Sequence, residues 1–221
     1  MIIRDKLKEI YIHKLLQVEH NTIYAFHHVS NTPKIDLSPN KIDTEAFRKF
    51  VLEHGPYVDI YDVIHAKTLN NLSAITFDDG LADVYYIAYP FLAHHNIPFS
   101  VFVLRDMLNS PGYLTSDQVR EMSENPIVTI GSHGCEHMHL GLESEVAVLH
   151  DLYMSKKDKE AITGQPCNII AYPFGSYNKQ VIQVAEKVGY TYGLAVKGRP
   201  ILQAPLQDRF EIPRLSITNK G

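Results

Sequence analysis

Residues 73–80 read Ser-Ala-Ile-Thr-Phe-Asp-Asp-Gly, an apolar run that ends in two carboxylates and a glycine. The run has the composition of a buried strand, and residues 81–95 after it have the pattern of a helix. A strand that leads into a helix is the repeating unit of parallel sheets, because parallel strands need a crossover connection. Adjacent carboxylates at such a strand end can divide their work at a metal site, where one binds the cation and the other takes up a proton.

The same alternation of strand and helix continues along most of the chain. Thr115 and Gln118 have the spacing of a capping box that opens one helix, and the apolar face of another, over residues 181–188, stops at Gly189. This alternation predicts a parallel sheet, and periodicity leaves open whether that sheet is open or closed into a barrel. Strand-like runs occupy residues 22–26, 73–77, 99–104, 127–130, 168–172, 190–196 and 211–217.

The composition excludes several classes of protein. The chain has 221 residues, a formal net charge of −4 and no long block of Lys or Arg, so we expect no nucleic-acid partner. Cys135 and Cys167 are too few for a disulfide framework and are predicted to be reduced thiols. No apolar run has the length of a membrane span. The length fits a single α/β domain over residues 1–221.

Residues 1–20 mix apolar and charged side chains at roughly helical spacing. This pattern predicts an amphipathic flanking helix that packs on the domain, and the mixed sign of its charges disfavours a membrane-surface anchor. The charges also interrupt the apolar core that a signal peptide needs. We therefore expect a cytoplasmic protein.

Two histidines follow the strand-like run at residues 127–130. His133 and His137 are four residues apart, so one turn of chain can point both rings the same way. Together with Asp79 they provide the nitrogen and oxygen ligands of a catalytic divalent metal, with a position left open for water. They can instead be ordinary loop histidines, since the chain has twelve. His139 and Cys135 are rival ligands, although a thiolate is unexpected beside oxygen ligands.

A third motif, Tyr172-Pro173-Phe174-Gly175, follows the strand-like run at residues 168–172. By itself it predicts no more than a turn between a strand and a helix. In chain order, however, the carboxylates, the paired histidines and this loop resemble the polysaccharide deacetylases, the carbohydrate esterase family that contains the nodulation chitooligosaccharide deacetylase domain. The resemblance covers residues 24–217. It implies a distorted, incomplete (β/α) barrel of about seven parallel strands, with its chemistry at the C-terminal ends of the strands.

The resemblance also implies a role for each motif residue. Asp79, His133 and His137 hold a divalent metal, for which zinc fits and cobalt, nickel or ferrous iron fit similarly. Asp78 is the general base that deprotonates the attacking water, and the Phe174 N–H stabilises the oxyanion. From the residues alone, Asp78 or Asp79 can equally be an N-cap or turn residue before the following helix.

One departure from the family pattern concerns an arginine. Many members carry it two positions before the proline of the third motif, where it orients and polarises the catalytic carboxylate, and here that position is Ala171. Arg214, near the end of the last strand-like run, resembles an arginine found there in the branch with a Tyr-Pro-aromatic-Gly loop. Arg214 can alternatively be a surface cation or the partner of Glu211.

The second departure concerns the general acid. The family's usual donor is a histidine in a C-terminal Leu-x-His, and no histidine follows His150. In the branch of exopolysaccharide and poly-N-acetylglucosamine deacetylases an early Tyr-His takes that place. Phe26-His27-His28 matches this pattern, with His27 aligned to the donor and His28 as the alternative. An imidazole can protonate a departing amine because its pKa is the one nearest neutrality.

From these residues we predict a metal-dependent hydrolase that removes acetyl groups from N-acetylated sugars of a glycan or glycan precursor and releases acetate. Two other functions stay open. One is a non-catalytic sugar-binding or scaffold module, motivated by Ala171, and the other is a hydrolase of non-sugar amides. Away from the site, Lys156, Lys157 and Lys159 are predicted to form a solvated helix face.

Overall fold

The structure is a computed structural model that describes residues 19–30 and 40–219. Within these ranges lie nine strands. Two of them, at His28–Val29 and Lys41–Ile42, form a separate two-stranded parallel sheet. In chain order the strands are β1 (Thr22–Phe26), β2 (His28–Val29), β3 (Lys41–Ile42), β4 (Ser73–Phe77), β5 (Phe99–Val103), β6 (Val128–Ser132), β7 (Ile169–Ala171), β8 (Tyr192–Val196) and β9 (Ile212–Ser216).

The other seven strands form a closed barrel in the order β1-β4-β5-β6-β7-β8-β9, and all neighbours are parallel. The predicted barrel of about seven parallel strands is confirmed, and each strand-like run of the sequence overlaps one barrel strand. The sheet closes because β9 pairs with both β8 and β1. The barrel is incomplete in the sense that it has one strand fewer than an eight-stranded (β/α) barrel.

Helices connect most of the barrel strands, as the sequence alternation predicts, although none lies between β8 and β9 in the described residues. The capping box is present: the Thr115 hydroxyl accepts the Gln118 N–H at 3.1 Å, and the Gln118 side chain accepts the Thr115 N–H at 2.9 Å. The last helix ends where predicted, at Gly189, whose φ of 97° lies in the left-handed region. Among the described residues the α-helices are α1 (Thr44–Glu53), α2 (Ile60–Ile64), α3 (Tyr89–His94), α4 (Ser116–Ser123), α5 (Glu145–Thr163) and α6 (Lys179–Val188).

The helix predicted over residues 81–95 is interrupted. Val84–Ala88 form a single π-helical turn, and α3 begins only at Tyr89. Pro90 explains the break, because it has no N–H for the Tyr86 carbonyl and its ring crowds that carbonyl. The Tyr89 N–H instead donates to the Val84 carbonyl five residues back, as in a π-helical turn.

The lysines of α5 do not form the predicted solvated face. Lys157 is exposed, but Lys156 is 7% exposed and Lys159 is fully buried. The Lys156 amine donates to the Cys167 carbonyl, and the Lys159 amine donates to the Ser155 hydroxyl. The prediction was wrong because charge spacing along a helix does not reveal which face the rest of the fold covers.

The helix predicted over residues 1–20 falls on residues outside the described ranges, apart from Glu19 and His20, and it stays a prediction. In the described part of the chain, none of the helices combines the length and the apolar sequence needed to cross a membrane. Cys135 and Cys167 are both free and buried, as expected for reduced thiols.

The hydrophobic core packs on the barrel strands. β4 and β5 are buried along their whole length, as expected for strands covered on both faces. Phe26 meets Phe47 edge-on with ring centroids 5.3 Å apart, and Phe77 meets Phe99 at 5.8 Å. Truncation of one such buried phenylalanine to alanine typically costs about 3–5 kcal/mol. This packing fixes the strand ends, which carry the site residues.

Candidate functional site

The residues predicted to carry chemistry meet at the carboxyl ends of the barrel strands. Parallel strands bring these ends to one edge of the sheet, and in a barrel that edge is a single ring. The residues are His27 after β1, Asp78 and Asp79 after β4, His133 and His137 after β6, Phe174 after β7, and Arg214 within β9.

Asp79, His133 and His137 form a compact cluster. Asp79 Oδ1 lies 3.3 Å from His133 Nε2 and 3.5 Å from His137 Nε2. Each residue can offer one ligand atom, and all of these atoms lie within 4.8 Å of one another. The fold therefore brings together the three residues that the sequence singled out as metal ligands.

A tight turn separates the two neighbouring carboxylates. Asp79 has a φ of 69° and Gly80 has a φ of 70°, both in the left-handed region. A Cβ on Gly80 would lie 3.0 Å from a Val103 methyl group, so the turn also needs the small residue. Asp78 and Asp79 consequently face different partners. The helical segment that follows begins at Ala82, so neither carboxylate is at its N-cap position.

His133 is held in one tautomer. Its Nδ1–H donates to the Ala171 carbonyl at 2.8 Å, so the lone pair is on Nε2, the atom nearest Asp79. Burial lowers the pKa of His133, but the negative charges of Asp78 and Asp79 outweigh burial and raise it. Burial and the neighbouring His133 charge lower the pKa of His137. The acidic pair thus favours positive charge on His133, whereas burial and that charge disfavour it on His137.

The cluster has the donor set of a divalent metal site. Two imidazole nitrogens and a carboxylate oxygen match the ligands of zinc and other first-row cations. Asp79 Oδ1 is buried and accepts no hydrogen bond within the described residues, an arrangement that is costly unless a cation balances it. The residues therefore fit a divalent metal and leave its identity open.

The two rival ligands have other contacts. The His139 ring stacks on the Phe174 ring, with centroids 4.0 Å apart and planes inclined by 17°. The Cys135 thiol donates to the Asp151 carbonyl at 3.2 Å and is 4% exposed. Burial raises the pKa of this thiol to about 12, which disfavours a thiolate ligand.

Asp78 pairs with Arg214. The bonds from Nη1 to Oδ1 and from Nη2 to Oδ2 are both 2.7 Å long, and Nη1 also donates to the Thr76 hydroxyl at 3.1 Å. Arg214 is fully buried, and Glu211 pairs with Lys197, so neither alternative for Arg214 fits the structure. Burial raises the pKa of Asp78, but the Arg214 charge and hydrogen bonds outweigh burial and hold that pKa well below its usual range.

Of the two adjacent histidines, His27 faces Asp78. Its Nε2 lies 4.0 Å from Asp78 Oδ2, and its buried Nδ1 has no hydrogen-bond partner in the described part of the chain. Burial lowers the pKa of His27, and the charge of Asp78 offsets part of that effect. His28 instead contacts Asp83, with 2.6 Å between Nδ1 and Oδ2. The geometry favours His27 over His28, and its role as proton donor stays a prediction.

Phe174 offers a backbone donor and an aromatic face beside the cluster. It lies in a 3-10 turn with a φ of 56°, held by the Gly175 N–H, which donates to the Tyr172 carbonyl at 2.9 Å. The Phe174 N–H has no acceptor among the described residues. Its side chain is 57% exposed, and its ring centroid is 4.1 Å from that of His137.

Sequence reasoning missed Asp151. Asp151 Oδ2 accepts the N–H groups of Cys135 at 2.8 Å and Glu136 at 3.1 Å, two residues that lie between the ligand histidines. The available signal was the four-residue spacing of Asp151, Ser155 and Lys159, which puts these polar groups on one face of α5. All three are buried.

Known proteins resemble this chain in sequence. A family model described as polysaccharide deacetylase matches residues 65–193, a range that contains every predicted site residue except His27 and Arg214. The putative polysaccharide deacetylase YxkH of Bacillus subtilis (strain 168) is 33% identical over 123 residues, which cover 56% of this chain and 44% of that protein. A poly-beta-1,6-N-acetyl-D-glucosamine N-deacetylase of Staphylococcus aureus (strain MRSA252) is 21% identical over 217 residues, covering 90% of this chain and 73% of that protein.

The fold also resembles a solved structure. A de-N-acetylase from Aggregatibacter actinomycetemcomitans superposes with a TM-score of 0.79 at 21% sequence identity, over 91% of this chain and 96% of that one. The likeness shows a shared barrel architecture. This superposition spans nearly the whole solved chain, whereas the sequence match to the Bacillus relative spans less than half of that protein's length.

Proposed function

Because this chain belongs to the polysaccharide deacetylase family, we propose that it is a metal-dependent hydrolase that removes acetyl groups from N-acetylated sugars and releases acetate. The observation that carries the proposal is the buried Asp78–Arg214 pair beside the cluster of Asp79, His133 and His137. A carboxylate kept ionised next to a candidate metal centre is what water activation requires. The name of the Staphylococcus relative supports an N-acetylated sugar as the substrate.

Asp79, His133 and His137 hold the metal, each through one ligand atom. When bound, a divalent metal would act as a Lewis acid and lower the pKa of water toward about 7. The Ala171 carbonyl keeps His133 in the tautomer that leaves Nε2 free to coordinate. Zinc is our first choice for this ligand set, and cobalt, nickel or ferrous iron suit it similarly.

Asp78 accepts the proton of the attacking water. Arg214 keeps Asp78 ionised at neutral pH, because its charge and hydrogen bonds hold the pKa of the carboxyl below its usual range despite burial. The two parallel bonds also fix the orientation of the carboxylate. In this chain Arg214 therefore takes the role of the arginine that the family pattern has at the position of Ala171.

Attack on the acetyl carbonyl places negative charge on its oxygen. The Phe174 N–H donates to that oxygen, and it is pre-organised because the Gly175 N–H already fixes the turn. His27 then donates its proton to the amine nitrogen as the C–N bond breaks. Since His27 Nε2 is 4.0 Å from Asp78 Oδ2, both groups can contact one reacting centre. The products are acetate and the free amino sugar.

The test is acetate release from β-1,6-linked and β-1,4-linked N-acetylglucosamine oligomers, with the protein loaded in turn with zinc, cobalt, nickel and ferrous iron. We expect release by the wild type with at least one metal. We expect none from Asp78→Asn, whose metal content stays that of the wild type.

The contrary outcomes separate the alternatives. A metal-loaded wild type that releases no acetate from any acetylated sugar contradicts the proposal. Turnover of small cyclic amides would then favour a hydrolase of non-sugar amides. Sugar binding without turnover of any substrate would favour a non-catalytic module.

A further inference from the structure

We propose that Asp151, on the buried face of α5, is a positioning residue that holds the loop between His133 and His137 and thereby fixes the second histidine of the candidate metal centre. Ser155, one helical turn further along, supports the same loop. The proposal rests on the proposed metal site and adds to it a residue that lies outside the ligand cluster.

The carboxylate of Asp151 binds the loop backbone. Its Oδ2 accepts the Cys135 N–H at 2.8 Å and the Glu136 N–H at 3.1 Å, and the Cys135 thiol donates to the Asp151 carbonyl at 3.2 Å. Burial raises the pKa of Asp151 to about 6, against the lowering effect of the two N–H groups, so the side chain is still ionised at neutral pH. Hydrogen bonds to an ionised acceptor are stronger than those to a neutral one.

Ser155 binds the start of the same loop. Its hydroxyl donates to the Gly134 carbonyl at 2.9 Å and lies 2.8 Å from the Ser132 hydroxyl. The Ser132 hydroxyl in turn accepts the Gly134 N–H at 3.1 Å. The Lys159 amine donates to Ser155 at 3.3 Å from the next turn of the helix. One stripe of α5 thus binds three backbone groups of a loop that has no regular secondary structure of its own, while the Arg105 and Asp106 N–H groups bind its Gly134 and Cys135 carbonyls from the other side.

Gly134 allows the helix to approach this closely. Its φ is 83°, in the region that glycine adopts at little cost. A Cβ at this position would lie 2.7 Å from Asp151 Oδ1, closer than real side chains come. Loop and helix are therefore fitted to each other between the two histidines, and a change at Asp151 acts on the loop directly.

The two histidines are fixed by different means. His133 directly follows β6, is buried, and has its ring anchored by the Ala171 carbonyl. The His137 side chain is 33% exposed and lies at the far end of the loop. The residue before it is one of the two whose N–H groups bind Asp151. Loss of the carboxylate should therefore displace His137 more than His133.

The test compares Asp151→Leu, which removes the acceptor at similar volume, with Asp151→Asn, which keeps one acceptor oxygen. Three quantities are measured: the Co²⁺ dissociation constant, the visible absorption of the Co²⁺ protein, and the unfolding temperature of the metal-free protein. Loss of a group that orients a metal ligand weakens metal binding roughly tenfold to 100-fold. We expect that loss and an altered spectrum for Asp151→Leu, and binding within about threefold of wild type for Asp151→Asn.

Lys156→Met is the matched control. It removes another buried polar group of α5, one that contacts the Cys167 carbonyl rather than the loop. We expect it to lower the unfolding temperature of the metal-free protein without changing Co²⁺ affinity. If Asp151→Leu behaves in the same way, Asp151 only stabilises the fold and the proposal is overturned.

Ser155→Ala serves if Asp151→Leu does not fold. It deletes the bond to the Gly134 carbonyl, and we expect several-fold weaker Co²⁺ binding, whereas unchanged binding overturns the proposal. Co²⁺ binding is measured without substrate, so its result is distinct from that of the acetate assay. A wild type that binds Co²⁺ but releases no acetate rejects the proposed function alone, and a wild type that does not bind Co²⁺ rejects both.

Discussion

Arg214 binds Asp78 through two parallel hydrogen bonds of 2.7 Å, although 136 positions separate the two residues in sequence. Both side chains are buried, so each charge offsets the desolvation cost of the other. In the family pattern this cation is at position 171, where the chain has alanine. It reaches the carboxylate from β9 instead.

Arg214→Lys keeps the positive charge but loses the planar fork that binds both carboxylate oxygens. We expect kcat for acetate release to fall roughly 100-fold, the penalty for a catalytic group misplaced by about 1 Å. Metal content should not change, because the side-chain hydrogen bonds of Arg214 go to Thr76 and Asp78 rather than to the three cluster residues. Unaltered kcat in this variant would show that the orientation of Asp78 is unimportant.

Arg214→Met leaves Asp78 as a buried charge without its partner. We expect the free energy of unfolding to fall by about 3–5 kcal/mol in urea titrations. Adding Asp78→Asn to the same chain removes the stranded charge and should restore part of the stability, because the two sites are in contact and their effects are not additive. Simple additivity in this double-mutant cycle would contradict the pairing.

Metal binding should stabilise the folded protein. At a free zinc concentration of 100 times the dissociation constant, the gain is about 2.7 kcal/mol, visible as a higher unfolding temperature that a chelator reverses. Asp79→Asn should lose most of this rise. His139→Gln should keep it, since His139 stacks on Phe174 rather than joining the cluster. If His139→Gln lost the rise in unfolding temperature and Asp79→Asn kept it, His139 rather than Asp79 would be the metal ligand.

His27→Gln separates proton donation from water activation. On an N-acetylated sugar we expect kcat to fall by about 10²–10⁴, the usual contribution of a general acid. On an activated aryl acetate, whose leaving group needs no proton, the loss should be much smaller. His28→Gln is the control, because His28 contacts Asp83, and it should not change the ratio between the two substrates. Equal losses on both substrates in His27→Gln would refute the donor role.

The buried Lys159 predicts a pH dependence of stability. Burial lowers its pKa from 10.5 to about 8, so between these values the unfolded chain binds more protons than the folded one. The free energy of unfolding should therefore gain up to about 1.4 kcal/mol per pH unit from this group as the pH rises. In Lys159→Met that gain disappears. The measured quantity is the difference in the free energy of unfolding between the two proteins from pH 8 to pH 10. Contributions from the cysteines cancel in this difference. A difference that stays constant over this pH range would contradict the prediction.

Local patterns predicted the parts of the fold that depend on neighbours in sequence. The strands, the Thr115 capping box and the stop at Gly189 follow from alternation, side-chain caps and glycine conformations within a few residues. The helix predicted after the Asp-Asp-Gly turn contains a π-helical turn instead, because Pro90 has no N–H for the carbonyl four residues back and its ring crowds that carbonyl.

Contacts between distant segments could not be predicted in the same way. The sequence pattern predicts that Arg214 is in a strand. It does not predict that the barrel closes and brings β9 beside β1. The pattern also predicts that Lys159 is on a helix, but not that the rest of the fold buries this face of α5. Both properties depend on how layers pack, which a single sequence does not encode at any fixed spacing.

The position of Arg214 on β9 has a consequence for how the protein is made. Ribosomes release the chain from its amino end, so Asp79, His133 and His137 emerge well before the strand that closes the barrel. A nascent chain at that stage has every metal-cluster residue, while Asp78 still lacks its counter-ion. Under the proposed function, a polypeptide cut short before β9 has all three candidate metal ligands but no cation beside its general base, and we expect it to be inactive.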